Sequence, residues 1–112
     1  MNISYEGIGY LGVTFPAEKD VTGQVCAMGD DGRVTSCSTG DCFIGVMESY
    51  RDGRAAVQLH GFAKVRYTGS NLSLGFSMLS GDGGGGVKMN VDGREYLVVQ
   101  VDTAAKTAVI EL

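Results

Sequence analysis

Glycine is the residue that most restricts this chain. It fills 18 of 112 positions, and proline only one, Pro16, against a usual glycine share of about 7%. The glycines stand between short apolar runs, so no stretch carries apolar residues at i, i+3, i+4 and i+7 over three turns. Glycine at this density marks many tight turns, and many turns in a short chain mean many short strands.

Period two is the pattern that does recur. In AAVQLHGFAKVRY, Val57, Leu59, Ala63, Val65 and Tyr67 fall on one face, and Gln58, His60, Lys64 and Arg66 on the other. Successive strand side chains point to opposite faces, so this reads as a strand with one buried and one wet side. Gly61 interrupts the inner set and marks a bend between two parts of a sheet wall. Phe62 sits out of pattern on the polar face.

The same grammar predicts strands at 12–15, 24–28, 33–36, 42–50, 77–79, 87–90, 95–101 and 107–112. Gly29-Asp30-Asp31-Gly32, Asp52-Gly53 and Asp92-Gly93 supply hairpin turns. The sum is about ten short strands with turns roughly every 8–12 residues, the pattern of an all-β sandwich or barrel. One or two helical turns at most are expected, near 72–74 or 103–106. No internal repeat of fixed period is visible. Residues 1–12 read as an N-terminal arm and residues 13–112 as a single β-domain.

Charge and composition exclude several classes. Nine basic against 13 acidic residues give a net charge of −4, and no basic cluster exceeds Lys64-Val65-Arg66, so nucleic acid is not an expected partner. The apolar runs are too short to span a bilayer as helices, and no membrane partner is expected. MNISYEGIGY lacks a basic segment followed by an apolar core, so no export signal is expected, and Cys26, Cys37 and Cys42 are expected to stay reduced.

Reactive constellations are sparse. His60 is alone on a polar strand face. Cys26 sits in an apolar strand context, where cysteine behaves as a small hydrophobe. Cys37 and Cys42 form one C-x₄-C without a second pair, short of a zinc pattern, though a disulfide across the turn is sterically allowed. Most aspartates fall in turns. Glu48 alternates with Ile44 and Val46, which points it inward, to pair with Arg51 or Arg54. No catalytic, metal or cofactor-binding residue and no cofactor is expected, and the chain reads as a non-enzyme.

The run Gly83–Gly86 raises phosphate binding. A phosphate loop needs a helix N-terminus behind its glycines, and the P-loop form needs Lys-Ser/Thr after the last one. Here Val87-Lys88-Met89-Asn90 follows and reads as strand. The run is expected to be a flexible hairpin between Met78-Leu79 and Val87-Lys88.

Three segments carry a family resemblance: Val21-Thr22-Gly23-Gln24-Val25, Gly40-Asp41-Cys42-Phe43-Ile44-Gly45-Val46 and Ala55-Ala56-Val57-Gln58-Leu59-His60-Gly61. With the later LGFSMLSGDGGGGVK and GREYLVVQVDTAAKTAVIEL, the chain from about Val13 to Leu112 resembles the small capsid decoration, or cement, proteins of tailed bacteriophages and prophages. The resemblance implies a compact β-barrel or β-tulip, made in the bacterial cytoplasm and bound as a homotrimer to the outside of the virion's expanded shell. Its partners would be itself and the major capsid protein. Binding only the expanded shell would stabilise that state by mass action, multiplied over many copies, and a closed trimer would cover sheet edges. Ile3, Tyr5, Ile8, Tyr10 and Leu11 of the arm, together with Phe62, are the expected interface. The alternatives are a small β-barrel that holds a ligand, or a tail or fibre module. The absence of tryptophan and the dispersal of Tyr5, Tyr10, Tyr50, Tyr67 and Tyr96 argue against a sugar platform.

Overall fold

In the computed structural model residues 9–112 are described, and none of them is helical. Ten strands follow one another: β1 (Leu11–Pro16), β2 (Val25–Met28), β3 (Val34–Ser36), β4 (Gly45–Arg51), β5 (Arg54–His60), β6 (Phe62–Arg66), β7 (Gly75–Gly81), β8 (Val87–Met89), β9 (Arg94–Asp102) and β10 (Thr107–Glu111). They form two antiparallel five-stranded sheets, ordered β1-β5-β4-β2-β3 and β6-β10-β9-β7-β8. The all-β expectation and the strand count hold. Several boundaries differ, and β7 runs Gly75–Gly81 rather than 77–79. Cys42–Ile44 precede β4 as irregular chain, residues 103–106 are a turn rather than a helical turn, and β1 takes in Leu11 and Gly12, the last two residues read as arm.

Gly61 separates the sheets. Every strand before it belongs to the first sheet and every strand after it to the second. Its φ of 97° is left-handed, and a Cβ there would lie 3.1 Å from the Tyr10 Cα and 3.3 Å from the Gly9 carbonyl. Only glycine turns the chain at this point without strain. Gln58 was expected to face solvent, yet it is 7% exposed. Its amide donates to the His60 carbonyl at 3.2 Å and the Phe62 carbonyl at 2.9 Å, so it bridges the bend.

The two sheets are the same unit twice. Adding five to each strand number of the first order gives the second. In both, the residue after the first strand makes a lone parallel bridge to the first residue of the third: Ala17 to Val34, and Tyr67 to Val87. Both bridges carry the same backbone bonds, Glu18 N to Val34 O at 2.8 Å and Thr68 N to Val87 O at 3.0 Å. Both fourth strands bulge three residues before their last pair, at Glu48 and at Val99. Both second-to-third hairpins have five-residue loops, with a left-handed glycine fourth, Gly32 and Gly85. One register differs: β7 is displaced by two residues along β9 relative to β2 along β4, which keeps its faces unchanged.

The expectation of no repeat of fixed period is therefore narrowed: the repeat exists in the fold and has no fixed period. The spacing between equivalents drifts, from Ala17 to Tyr67, Val34 to Val87 and Glu48 to Val99, because the stretches joining the first strand to the third and the third to the fourth differ in length between the units. A search at fixed period has nothing to lock onto.

The barrel expectation is corrected too. Each sheet curls until its edge strands touch, but only through one bridge, and neither closes. The third strand of each unit is three residues long, too short to carry a seam. The first unit curls around Ala17, Val21, Cys26, Val34, Met47, Ala55 and Val57. The second curls around a larger core that includes Tyr67, Leu79, Tyr96, Val98 and Ile110, and that core also takes Val25, Cys37, Phe43 and Val46 from the first. The Phe43 and Tyr96 rings stack at 4.9 Å between centroids, so the halves share one interior.

Candidate interaction surface

The expected interface residues are only partly gathered. Ile3, Tyr5 and Ile8 lie outside the described residues. Tyr10 and Leu11 are each 45% exposed. The Tyr10 hydroxyl donates to a Glu48 carboxylate oxygen, which holds the phenol above its usual pKa. Phe62 opens β6 beyond the Gly61 bend and is half-buried, opposite Glu111. Tyr10 and Leu11 thus run beside the Gly61 bend that leads into Phe62. Glu48 is corrected: as the bulge residue of β4 it is exposed, and its partner is Tyr10 rather than Arg51 or Arg54.

A larger apolar surface was not anticipated. Leu74 is 68% exposed, Phe76 70% and Val91 88%, with Met78 and Met89 also out. The first half of β7 alternates with Phe76 and Met78 outward, while Leu79 turns into the core. Gly75 and Ser77 stand opposite Val98 and Tyr96, whose side chains fill the core, while Phe76 stands opposite Leu97. The inside is already occupied by the Phe43–Tyr96 stack, so only small residues fit there.

The repeat makes this exposure informative. Phe76 and Leu97 pair across the second and fourth strands of their unit, as Val25 and Val46 do in theirs. Val25 and Val46 are buried in the core of the second unit. The same face is covered in one half of the molecule and open in the other.

The glycine run is a hairpin, though not a loose one. Asp82 accepts from Gly84 N at 2.7 Å and Gly86 N at 3.0 Å with one oxygen, and from the Thr68 hydroxyl at 3.0 Å with the other. The amides that could have met a phosphate are turned on the loop's own carboxylate. Val25 N donates to the Gly85 carbonyl at 3.1 Å, and a Cβ on Gly85 would meet the Gln24 carboxamide at 2.6 Å. Beside the loop lies an open cleft of about 540 Å³ walled by Arg66, Thr68, Gly69, Asp82, Gly84 and Lys106.

The reactive side chains stay apart. Cys42 and His60 line one open cleft of about 330 Å³, with no hydrogen bond joining them. All three cysteines are free thiols. Burial pushes Cys26 up to about 12 and Cys37 up to about 11, while Cys42 is exposed. Among the described residues no group of three or more His, Cys, Asp or Glu side chains converges.

No protein-family model, curated protein or solved structure matches the chain.

Proposed function

We propose that this chain is a structural binding module that acts through a surface, and that it decorates the outside of an expanded bacteriophage shell as a homotrimer. The observation that carries the reading is the unequal fate of one face. In the first unit it is buried; in the second Leu74, Phe76 and Met78 face outward. Monomeric soluble proteins rarely leave a contiguous apolar face of this kind without a partner. The sequence motifs point to the shell as the setting. Binding restricted to the expanded lattice stabilises that lattice, and many modest contacts add over many copies.

The test is co-sedimentation of the purified chain with expanded and unexpanded shells, assembled from the major capsid protein that this reading requires in the same genome. Saturable binding to expanded shells, in multiples of three chains per site, with a raised temperature of shell disruption, is the expected result. A chain that stays in the supernatant with both shells overturns the proposal.

A further inference from the structure

We propose that the cleft between the β6 end, the glycine-run loop and the β9–β10 turn binds a carboxylate side chain presented by a peptide segment of a partner protein. Arg66 and Lys106 line it. Among the described residues, neither has a carboxylate within 4 Å; the only ion pairs are Arg33–Asp31 and Arg51–Asp52. Neutral oxygens hold both cations in place instead. Arg66 Nη2 donates to the Gly84 carbonyl at 3.1 Å. Lys106 Nζ donates to the Gly69 carbonyl at 2.9 Å and Asn71 Oδ1 at 3.3 Å, and sits 4.6 Å from the centre of the Tyr67 ring. A guanidinium has five N–H donors and an ammonium three, so both keep donors to spare. Such preset donors lose little freedom on binding.

The repeat shows that the fold does not require these cations. The first unit builds the same bridge and the same backbone bonds with Pro16 where the second has Arg66. Gly53 stands in the place of Lys106, its carbonyl accepting from Ala17 N at 2.8 Å as the Lys106 carbonyl accepts from Tyr67 N at 3.0 Å. The positive charge in the second unit is an addition to a scaffold that forms without it.

Charge selects the ligand. Two cations and the Asp82 carboxylate leave the cleft with one net positive charge on a chain of net −4. That balance matches a single carboxylate, while phosphate brings a second negative charge towards Asp82. The cleft's volume, about 540 Å³, exceeds what an acidic side chain fills and leaves space for the backbone that carries it.

The site stands independently of the shell reading, and its test uses no shell. The amide spectrum of the full chain is recorded while acetyl-Gly-Asp-Gly-amide is added, with acetyl-Gly-Asn-Gly-amide, acetate and inorganic phosphate in parallel. The aspartyl peptide is expected to shift Thr68, Gly69, Gly84, Ala105 and Lys106, with millimolar affinity that weakens at least threefold in high salt. Arg66→Gln, at an exposed strand position, removes at least four-fifths of the shift and Lys106→Gln most of it, while Arg54→Gln, on the other sheet, leaves it intact. Equal shifts from the asparaginyl peptide, or full binding by the folded Arg66→Gln variant, overturn the proposal. Equal shifts from acetate or phosphate assign the cleft to free anions and also overturn it.

Discussion

At the scale of single residues, buried polar groups and thiols report most directly on the fold. Gln58 shows what alternation cannot see. Its position in the period places it with His60 and Lys64, yet the Gly61 bend leaves two carbonyls within reach of one amide, and Gln58 closes over them. Gln58→Leu removes both donors while keeping the volume, and is expected to lower unfolding stability by about 1–3 kcal/mol in urea titrations, the range for carbonyls left unpaired in a buried setting. A change under a few tenths would mean that water serves them equally well. The thiols give a second measurement. Native protein is expected to release one equivalent of chromophore with a thiol reagent near pH 8, from Cys42, and three in denaturant, because burial keeps Cys26 and Cys37 protonated and shielded. The same burial sets the sign of an alkaline dependence. A thiol whose folded pKa lies above its ordinary value of 9.0 contributes no penalty below pH 9. Above that the unfolded thiols ionise and the folded ones do not. Stability therefore falls as pH rises, up to about 11 for Cys37 and about 12 for Cys26. The Cys26→Ala and Cys37→Ala variants should flatten that decline.

At the scale of elements, the strands were legible and their partnership was not. Alternation, Asp-Gly turns and the lone proline located ten strands to within a few residues, because each is a local matter of side-chain period and allowed φ. Asp52 and Gly53, with φ of 52° and 76°, make the tight hairpin that the dipeptide announces. Alternation names two faces without saying which is inside, and a strand expected at 77–79 leaves Phe76 outside it and the side of Met78 undecided. The small Gly75 and Ser77 that alternate with them are the signal that could have turned it round, once the space opposite is known to hold Val98 and Tyr96. The duplication was hidden for a different reason. Equivalent positions share a role rather than a residue, as Gly29-Asp30-Asp31-Gly32-Arg33 and Asp82-Gly83-Gly84-Gly85-Gly86 do in making the same five-residue loop. In the second loop one carboxylate gathers two amides and a hydroxyl, which a run of glycines cannot supply for itself. Asp82→Ala should therefore cost about 1–3 kcal/mol, and amide exchange should quicken at Gly84 and Gly86. Phosphate or sulfate should then restore part of the loss in the variant and have no such effect on the wild type, since the emptied loop presents two converging amides to an anion. Unchanged exchange in Asp82→Ala would mean that the loop's backbone bonds hold it unaided.

At the scale of the whole molecule, the question is why a duplicated unit should finish with one face closed and its counterpart open. Repeat assemblies bury a hydrophobic face only by stacking neighbours, and the last unit is left exposed unless something caps it. Here the first unit lends Val25, Phe43 and Val46 to the second, and the second has nothing within the described chain to receive Phe76 and Leu97. A neighbouring copy offers one way to cover that face, and an interface between unlike surfaces closes into a ring when its rotation allows. Phe76 contributes little to the fold of its own chain, because 70% of it is already in water. Phe76→Lys should accordingly leave unfolding stability within about 1 kcal/mol of wild type, the span of strand propensity at an exposed site. Its effect should fall on assembly instead. Light scattering on the wild type is expected to approach three times the 11.7 kDa chain mass as concentration rises, and the variant should remain at one chain mass over the same range. The contrast separates the two roles a surface phenylalanine can have. Equal masses for the folded variant and the wild type would place the subunit contact on another face. A variant that fails to fold would show that Phe76 supports its own sheet, and that a neighbour is not what the open face awaits.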